Sequence, residues 1–455
     1  MKISVIGGGV SGFSLALLAN KLGNDVIVSD NKKLSDDAYK KFDELGISYE
    51  IGHDLAFCAD MFLLSSGIPP AASVVLKAQD QGIPVVGELE YVLPHLNGSI
   101  IGVTGTNGKS TVTSLIGHLL GEFCDRIAVG GNLGTAMAGF ALEEYSYIVL
   151  ELSSAQLHYL KQQRNVNFKI AVITNLAPDH INWHGSYEKY IEAKARIVSL
   201  LADDGRVFMR EEDIQKISHL HRDKVTALSW DSYDVRDCSH RILMEESKAV
   251  LLKGNSEYEL FKYTDSPLIG KHNYENVAFS LAVLEEALGA DFNSISAVKK
   301  LSSYKGLPHR CEFIAEIKGV KYINDSKGTN VGAAVTALNS INGDKIIILG
   351  GKGKGEDYAP LAQSVKMCAK HAIVLGSERE KILSSLFENG MTNVAAVDSI
   401  PEAVIAASKI AVNGDIVLLS PACTSWDQYE NFEKRGEHFR SSVVNLMENM
   451  HDKSG

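Results

Sequence analysis

The sequence contains no long apolar run and few cysteines, and both shortages limit the class of protein it encodes. No hydrophobic segment reaches the roughly 20 residues needed to cross a bilayer, and the N-terminus has the pattern of a strand rather than of a signal peptide. Six cysteines are scattered over 455 residues without a close pair, which excludes a CxxC metal knuckle and fits a reducing compartment. We therefore expect a cytoplasmic protein that does not enter a membrane.

Positive charge is also in short supply, since 45 lysines and arginines stand against 56 acidic residues, giving a net charge of -11. Binding to nucleic acid regardless of sequence requires a basic face, so this class is excluded and small molecules are the expected partners.

The chain is too long for one ordinary core, and two or three domains are expected. The sequence contains no tandem repeat with a fixed short period. The expected protein is a monomer.

Residues 99–121, SIIGVTGTNGKSTVTSLIGHLLG, form the most informative stretch. A short apolar run predicts a buried strand, and a glycine loop and an apolar-periodic helix follow it. Backbone N–H groups at such a loop and helix start face an anion. Lys109 adds a positive charge, and the hydroxyl of Ser110 or Thr111 can reach Mg²⁺. The leading glycine of the usual phosphate-loop pattern falls at Val103, so the match is imperfect, but it favours ATP over a structural turn.

A second glycine-rich turn lies at residues 7–12, GGGVSG, after a predicted first strand. The following helix and strand lead to Asp30, at about the distance at which dinucleotide folds place an acidic residue on a ribose. Taken alone, this half of a Rossmann unit indicates a nicotinamide or flavin enzyme. Strands at 61–64 and 84–86 complete a small α/β domain that we place at residues 1–97.

The second predicted domain, residues 98–305, contains several charged or polar candidates. Glu151 interrupts an apolar strand beside the phosphate loop, where a carboxylate can hold Mg²⁺; a charge in solvent is the alternative. His180 follows another strand and is a candidate metal ligand or phosphate donor, although its position alone favours an ordinary histidine with satisfied hydrogen bonds. Lys194 lies in the apolar stripe of a helix predicted from residue 187 to 201, so it either snorkels to water or meets an anion or a modification. Asn276 begins a helix and either reads a nucleotide or caps the helix.

The third predicted domain, residues 306–455, has strands at 321–323, 346–349, 373–375 and 416–419 that alternate with helices. This order predicts another parallel sheet. Polar loops at 324–330, 350–355 and 420–425 follow three of these strands, and strand ends of a parallel sheet share one crevice. The middle loop lacks the Lys-Ser/Thr pair and is interpreted as an anion-binding loop. The expected fold is therefore α/β, with Rossmann-like, phosphate-loop and Rossmann-like domains in that order.

Ten ordered segments together resemble the Mur ligase family over essentially the whole chain. They are TGTNGKST from Thr104, GGNLG from Gly130, ELSSAQL from Glu151, PDHINWHG from Pro178, YIEAKARI from Tyr190, GKHNYENV from Gly270, GLPHRCE from Gly306, NDSKGTN from Asn324, GGKGKGED from Gly350 and SPACTSWDQYENFEKRG from Ser420. The last segment and the short N-terminal domain resemble the member that adds D-glutamate. The resemblance implies a ligase that uses ATP and two Mg²⁺ ions to join D-glutamate to UDP-N-acetylmuramoyl-L-alanine through an acyl phosphate, in cytoplasmic peptidoglycan precursor synthesis.

The resemblance also implies roles for individual residues. The residues implied for ATP are Gly105, Thr106, Asn107, Gly108, Lys109, Ser110, Thr111, Asn276, Arg310 and Asp325. Those for the UDP-sugar are Val10, Ser11, Asp30, Asn31 and Gly67, and those for D-glutamate are Thr329, Lys354, Ser425 and Phe432, the last through its backbone. Metal ligands are Ser110, Glu151, His180 and a carbamylated Lys194. Lys109, Lys194, Asn132 and His309 are implied in catalysis.

Three positions depart from the family pattern, namely Ala155 for a phenylalanine, Asn182 for an aspartate and Cys311 for an aromatic residue. None is an implied principal ligand, so they affect substrate packing rather than reaction class.

The alternative functions are a dehydrogenase that uses the first glycine turn, a non-catalytic nucleotide-binding scaffold, and a related ligase with another acceptor, such as a folylpolyglutamate synthase. A dehydrogenase leaves TGTNGKST and the third domain without a role.

Overall fold

A computed structural model describes residues 1–161, 168–218, 220–230, 238–268 and 270–451. The chain forms two compact units: Met1–Pro267 with Glu275–Tyr304, and Leu268–Tyr274 with Lys305–Gly455. The expected α/β class is confirmed, because both units are built on mainly parallel sheets. The break between Tyr304 and Lys305 lies one residue before the boundary expected between residues 305 and 306, which stays a prediction. The boundary at residue 97 remains a prediction, although one sheet ends and another begins there.

The first sheet of unit one has the order β3-β2-β1-β4-β5, with all strands parallel. Its elements are β1 (Lys2–Ile6), α1 (Val10–Lys21), β2 (Asp25–Asp30), α2 (Asp36–Leu45), β3 (Ser48–Ile51), β4 (Met61–Leu64), α3 (Ser73–Asp80), β5 (Val85–Gly87) and α4 (Glu88–Val92). The strand order reverses between β1 and β4, so the loops that follow these two strands flank the position where such sheets bind ligands.

The second sheet of unit one is larger, with the order β14-β13-β12-β11-β10-β9-β6-β8-β7. Its strands are β6 (Asn97–Thr104), β7 (Ile127–Gly131), β8 (Glu144–Glu151), β9 (Phe168–Ile173), β10 (Leu201–Arg210), β11 (Val225–Ser229), β12 (His240–Met244), β13 (Lys248–Lys253) and β14 (Ser256–Lys262). Strands β6 to β12 pair in parallel, whereas β13 and β14 are added as antiparallel strands. Strand β6, which leads into the phosphate loop, is central, and Ile100, Ile101 and Val103 are fully buried.

The helices of this part are α5 (Lys109–Leu120), α6 (Ser154–His158), α7 (Ile181–His184), α8 (Tyr187–Ala195), α9 (Glu211–Ile214), α10 (Lys271–Leu288) and α11 (Ser294–Leu301). One predicted boundary is wrong: α8 does not continue to residue 201. It ends at Ala195, and a 3₁₀ segment, Arg196–Leu200, leads directly into β10. The apolar periodicity continued through this segment because Ile197 and Leu200 are also buried, although no longer in an α-helix.

Unit two contains a six-stranded sheet of order β15-β16-β20-β17-β18-β19, parallel except for the edge strand β15. Its elements are β15 (Glu312–Ile317), β16 (Val320–Asn324), α12 (Val331–Ser340), β17 (Lys345–Gly350), α13 (Ala359–Cys368), β18 (Ala369–Leu375), α14 (Arg379–Glu388), β19 (Val394–Ala396), α15 (Ile400–Ile410), β20 (Ile416–Leu419) and α16 (Phe432–His451). The four predicted strands are present. Because β16, β20 and β17 are neighbours, their three following loops lie side by side.

Within the ranges that the structure describes, every helix is too short or too polar to cross a membrane.

Candidate functional site

The phosphate loop joins β6 to α5 and has a backbone path that only glycine adopts without strain. Gly105 has φ +139° and lies so close to the neighbouring strand end that a Cβ would stand 2.0 Å from Thr174 Oγ1. Gly108 has φ +84°, and its Cβ would stand 2.6 Å from Asn276 Oδ1. The two glycines therefore set the tight turn and also bring Asn276, an implied nucleotide residue, against the loop.

Lys109 is the first residue of α5, and its side chain folds back across the loop. Its Nζ donates to the carbonyl oxygens of Gly105 at 2.9 Å and Thr106 at 2.8 Å. The Thr106 hydroxyl is in turn held by the Ala177 carbonyl and the Tyr190 hydroxyl. The loop is therefore a shaped cradle with an ammonium group across it, and the binding of phosphate there stays a prediction.

Glu151 ends β8 and is 2 % exposed, so the alternative of a strand-end charge in solvent is wrong. The side-chain amide of Asn132 donates to Glu151 Oε1 at 2.8 Å, and the Asn132 backbone N–H donates to the Glu151 carbonyl at 2.8 Å. Gly131 makes this pairing possible, because a Cβ there would stand 2.4 Å from the Glu151 carbonyl oxygen. Asn132 thereby fixes the orientation of the buried carboxylate.

Lys194 is 1 % exposed and does not snorkel to water. Its Nζ donates to the Gly105 carbonyl at 2.7 Å and lies 4.7 Å from the centre of the Tyr190 ring. Burial, reinforced by the nearby Lys109 ammonium, lowers the pKa of Lys194 well below its usual value, against the opposing influence of Asp179 and Glu151. A buried amine of lowered pKa loses its proton more readily than a surface lysine does.

His180, the remaining implied metal ligand, is not buried with Ser110, Glu151 and Lys194. Its side chain is 58 % exposed, its φ is +51°, and its Nε2 lies 3.6 Å from Asp179 Oδ2. Among the described residues, no three His, Cys, Asp or Glu side chains are arranged to hold a metal ion. One buried carboxylate and the buried Ser110 hydroxyl nevertheless fit a Mg²⁺ that takes its other ligands from phosphate and water.

Two further buried groups lie near these residues and were not among the residues expected from the sequence. His184, four residues after His180, is buried and lies 2.9 Å from the Ser154 hydroxyl, and burial lowers its pKa to about 4. Glu275, next to Asn276, is buried and accepts from Trp230 Nε1 at 2.5 Å and from Arg210. The four-residue spacing of the two histidines in HINWH is the sequence signal that could have indicated His184. Glu275 has no such signal, because its partners Arg210 and Trp230 are distant in sequence.

The residues implied for a UDP-sugar lie together at the carboxyl edge of the first sheet. Asp30 ends β2, and its carboxylate accepts from the backbone N–H groups of Gly8 at 2.7 Å and Lys32 at 2.9 Å. Val10 and Ser11 form the first turn of α1, and Val10 is exposed. Asn31 and Gly67 are exposed residues that follow β2 and the end of β4. Asp30 therefore shapes the glycine turn itself.

In unit two, Asp325 and His309 are both buried, and the loops that contain them are joined by hydrogen bonds. Asp325 accepts from Ser420 Oγ at 2.7 Å and from the Cys311 N–H at 3.2 Å, yet burial raises the pKa of Asp325 to about 6. His309 has φ +63°, and its Nδ1 lies 3.0 Å from the Asn324 side-chain amide. Arg310 follows His309 directly, and its backbone N–H donates to the Leu307 carbonyl in the same turn.

The residues implied for D-glutamate lie on the three adjacent loops and at the start of α16. Thr329 follows β16, Lys354 follows β17 and is exposed, and Ser425 follows β20. Ser425 is 2 % exposed, and its Oγ has no hydrogen-bond partner among the described residues. Phe432 begins α16, so its N–H has no acceptor within that helix. The structure thus places these four positions at one end of the sheet.

Comparison with known families covers all three parts of the chain. Residues 2–74 match the MurD N-terminal domain, residues 103–284 the Mur ligase middle domain, and residues 309–423 the Mur ligase glutamate ligase domain. The chain is 35 % identical over 453 residues to a UDP-N-acetylmuramoylalanine--D-glutamate ligase of Lachnospira eligens, covering 98 % of both chains. It is 35 % identical over 452 residues to the ligase of the same name from Christiangramia forsetii, covering 98 % of this chain and 99 % of the relative.

Solved structures show the same fold at lower identity. The UDP-N-acetylmuramate-alanine ligase MurC of Thermotoga maritima matches with a TM-score of 0.60 and 19 % identity, covering 98 % of this chain and 100 % of that chain. The MurF ligase of the same organism, solved in complex with ADP, matches with a TM-score of 0.58 and 16 % identity, covering 92 % and 95 %. With three matched domains and full-length relatives at 35 % identity, the chain belongs to the Mur ligase family.

Proposed function

We propose that this ligase adds D-glutamate to UDP-N-acetylmuramoyl-L-alanine with conversion of ATP to ADP and phosphate. Its full-length relatives carry that activity in their names, and its N-terminal domain is of the MurD type. The structural observation that carries the proposal is the phosphate loop, which bonds to the buried amine of Lys194 and follows a strand paired with the one that ends in the buried carboxylate Glu151. The same proposal makes the enzyme a cytoplasmic monomer with no nucleic-acid or membrane partner.

The first chemical step transfers a phosphoryl group to a carboxylate. The carboxylate oxygen of the UDP-linked substrate attacks the γ-phosphorus of ATP, the bond to the β,γ-bridging oxygen breaks, and ADP leaves. Loop N–H groups and the Lys109 ammonium offset the negative charge on the phosphate oxygens. Glu151 and Ser110 would hold Mg²⁺, which neutralises phosphate charge when it is bound. Asn132 keeps the Glu151 carboxylate in one orientation.

The second step forms the amide bond. The amine of D-glutamate attacks the acyl carbon, the tetrahedral intermediate expels phosphate, and the amine loses a proton. Thr329, Lys354, Ser425 and the Phe432 N–H would bind the carboxylates of the amino acid. His309 is held by Asn324 through Nδ1, and burial lowers the pKa of His309, so it enters the reaction as a neutral imidazole. Its restrained position supports an orienting role near the reacting groups.

Lys194 is proposed to act as a carbamate. A neutral amine can attack carbon dioxide, and the lowered pKa of Lys194 favours the neutral form. The product is an anion, which suits a site that binds a divalent cation beside Glu151. The same change removes an unfavourable ammonium beside Lys109. Full burial, which excludes the snorkelling alternative, is the observation that supports this role.

An acceptor panel tests the function. Purified protein receives ATP, Mg²⁺ and UDP-N-acetylmuramoyl-L-alanine with D-glutamate, L-glutamate, L-alanine or diaminopimelate, and phosphate release is measured together with the product mass. We expect turnover with D-glutamate and little with the others. Turnover with another acceptor would assign a different ligase, and turnover only with a folate substrate would assign a folylpolyglutamate synthase.

Two non-ligase alternatives have their own tests. Tight NAD binding in a titration would support the dehydrogenase. Against it, Asp30 already accepts from the backbone N–H groups of Gly8 and Lys32, and the N-terminal residues match a ligase domain. ADP release that depends on an amino acid would exclude the scaffold. We expect no NAD binding and amino-acid-dependent ADP release.

A further inference from the structure

Arg435 is the largest of the fully buried side chains among the described residues and has no role in the mechanism above. It lies in the first turns of α16, and its guanidinium points into the sheet end where three loops meet. Burial of a charged side chain is costly unless its donors are satisfied. A fully buried arginine therefore needs a specific set of acceptors.

The acceptors of Arg435 lie on all three strand-end loops. After β16, Ser326 accepts twice, with its Oγ 3.0 Å from Nε and its carbonyl 2.8 Å from Nη2. After β20, the Cys423 carbonyl lies 3.1 Å from both Nη atoms and the Thr424 carbonyl 3.3 Å from Nη1. At the last residue of β17, the Gly350 carbonyl lies 3.4 Å from Nη1. One planar group thus joins segments up to 109 residues apart in sequence.

The fit around the guanidinium is close on its remaining side. Gly351 has φ +138°, and a Cβ there would stand 3.0 Å from Arg435 Nη1 and 2.2 Å from the Thr424 carbonyl oxygen. Ser326, besides accepting from Arg435, donates its hydroxyl to the Phe432 carbonyl at 2.8 Å. The guanidinium, the loop after β16 and the start of α16 therefore form one connected network.

A lysine cannot make these contacts, since its single ammonium reaches acceptors around one point whereas guanidinium donors diverge in a plane. In the part of the chain that the structure describes, no carboxylate forms an ion pair with Arg435. Its bonds go to backbone carbonyls and one hydroxyl, which orient loops rather than neutralise charge. The positive charge consequently remains at the base of the loops that carry Thr329, Lys354 and Ser425.

We propose that Arg435 is a positioning residue that holds the three loops in the geometry that binds the carboxylates of the acceptor amino acid. The inference rests on the proposed function for the identity of that amino acid. The buried Ser425 hydroxyl, which has no partner among the described residues, points to a ligand at the same loops. Arg435 itself acts through Ser326, Gly350, Cys423 and Thr424 rather than by touching the amino acid.

The test compares Arg435→Lys with wild type in two assays. Steady-state kinetics give the KM for D-glutamate, ATP and the UDP-linked substrate. In the second assay, hydroxylamine replaces D-glutamate, attacks the acyl phosphate and yields a hydroxamate and phosphate, so that formation of the acyl phosphate is measured without an acceptor amino acid. We expect the KM for D-glutamate to rise about tenfold or more, with the other two KM values and the hydroxamate rate within about twofold.

Arg379→Lys is the matched control, because Arg379 forms exposed surface ion pairs in the same unit. We expect it to behave as wild type. Equal losses in both assays, or an unchanged KM for D-glutamate, would overturn the proposal. If Arg435→Lys does not fold, Ser326→Ala removes the Nε acceptor and the link to Phe432, and it should raise the same KM selectively. If wild type uses another amino acid, the proposed function fails, and the KM for that amino acid tests Arg435.

Discussion

Lys109 and Lys194 donate to the same atom, the carbonyl oxygen of Gly105, at 2.9 and 2.7 Å. One lysine belongs to the phosphate loop motif and the other to a helix that begins 78 residues later, so the fold brings two amines onto one loop oxygen. Two ammonium groups this close repel each other. Burial, together with the Lys109 charge, lowers the pKa of Lys194 well below its usual value. The two lysines therefore have separable roles, which substitutions can distinguish.

Replacing Lys109 by alanine removes the ammonium across the phosphate loop while leaving the turn intact. We expect kcat to fall about a hundredfold or more, as for loss of a preorganised charge facing the reacting phosphate, with the melting temperature close to that of wild type. Lys169→Ala is the control, because Lys169 forms an exposed ion pair with Asp204. Wild-type turnover in Lys109→Ala would refute the phosphate-loop assignment.

Replacing Lys194 by alanine removes the group that can become a carbamate. We expect strongly impaired turnover that short carboxylic acids such as acetate partly restore, because they supply an anion in the space left by the side chain. The readout is kcat as a function of added carboxylate, with Lys109→Ala as a comparison that acetate should not restore. Full activity without any added acid would show that the lysine is only structural.

Asn132 orients the proposed metal-binding carboxylate, so Asn132→Ala should weaken the response to Mg²⁺. We expect the Mg²⁺ concentration for half-maximal activity to rise about 10- to 100-fold, the usual cost of losing a group that orients a metal ligand. Glu151→Gln should have the larger effect, because it removes the charge itself. Asn393→Ala, at an exposed amide that bonds to the Lys370 carbonyl, is the control. An unchanged Mg²⁺ titration for both site variants would contradict the assignment.

Gly436 packs directly on His309, and a Cβ there would stand 2.2 Å from Nδ1. Gly436→Ala should displace the imidazole and lower kcat, with a stability cost of about 1–3 kcal/mol for overpacking. Gly332→Ala, in α12, is the matched control because its Cβ would lie 3.6 Å from its nearest neighbour, Asn330 Oδ1, and alanine favours a helix. Activity and a melting temperature equal to wild type in Gly436→Ala would show that His309 has room to move.

Glu88 begins α4, is 1 % exposed and accepts from the Gln156 side-chain amide at 3.0 Å. Burial raises the pKa of Glu88 above its ordinary 4.5, and the bond from Gln156 opposes this only in part. The folded protein therefore binds this proton more tightly than the unfolded chain does. The resulting stabilisation is complete below the unfolded pKa and is lost as the pH rises through the folded value.

Glu88→Gln should consequently raise the melting temperature relative to wild type at about pH 8, and the difference should shrink towards about pH 4, where both side chains are neutral. The exposed Glu44 supplies the control variant Glu44→Gln, for which we expect little change at either pH. A stabilisation by Glu88→Gln that is constant with pH would mean that the carboxyl is not the titrating group.

Local features of this chain were largely predictable. The strand, glycine loop and helix around residues 97–120 follow from apolar periodicity and from the positive φ values that only Gly105 and Gly108 adopt easily. The apolar stripe around Lys194 correctly singled out an unusual lysine, but periodicity alone did not show that α8 stops at Ala195. The 3₁₀ segment and the strand that follow α8 also bury apolar residues at similar intervals, so the sequence pattern does not mark where the helix ends. Tertiary packing determines that position.

The sequence by itself determined the α/β class, the phosphate loop and the order of the ligand-bearing loops, because each of these depends on residues close together in the chain. Tertiary structure alone decided which charges became buried. Glu151 is held by Asn132, Lys194 by the Gly105 carbonyl, and Arg435 by segments 11 to 109 residues away. Desolvation and hydrogen bonding act through space, and residue spacing carries little information about which distant carbonyl groups will surround a given charge.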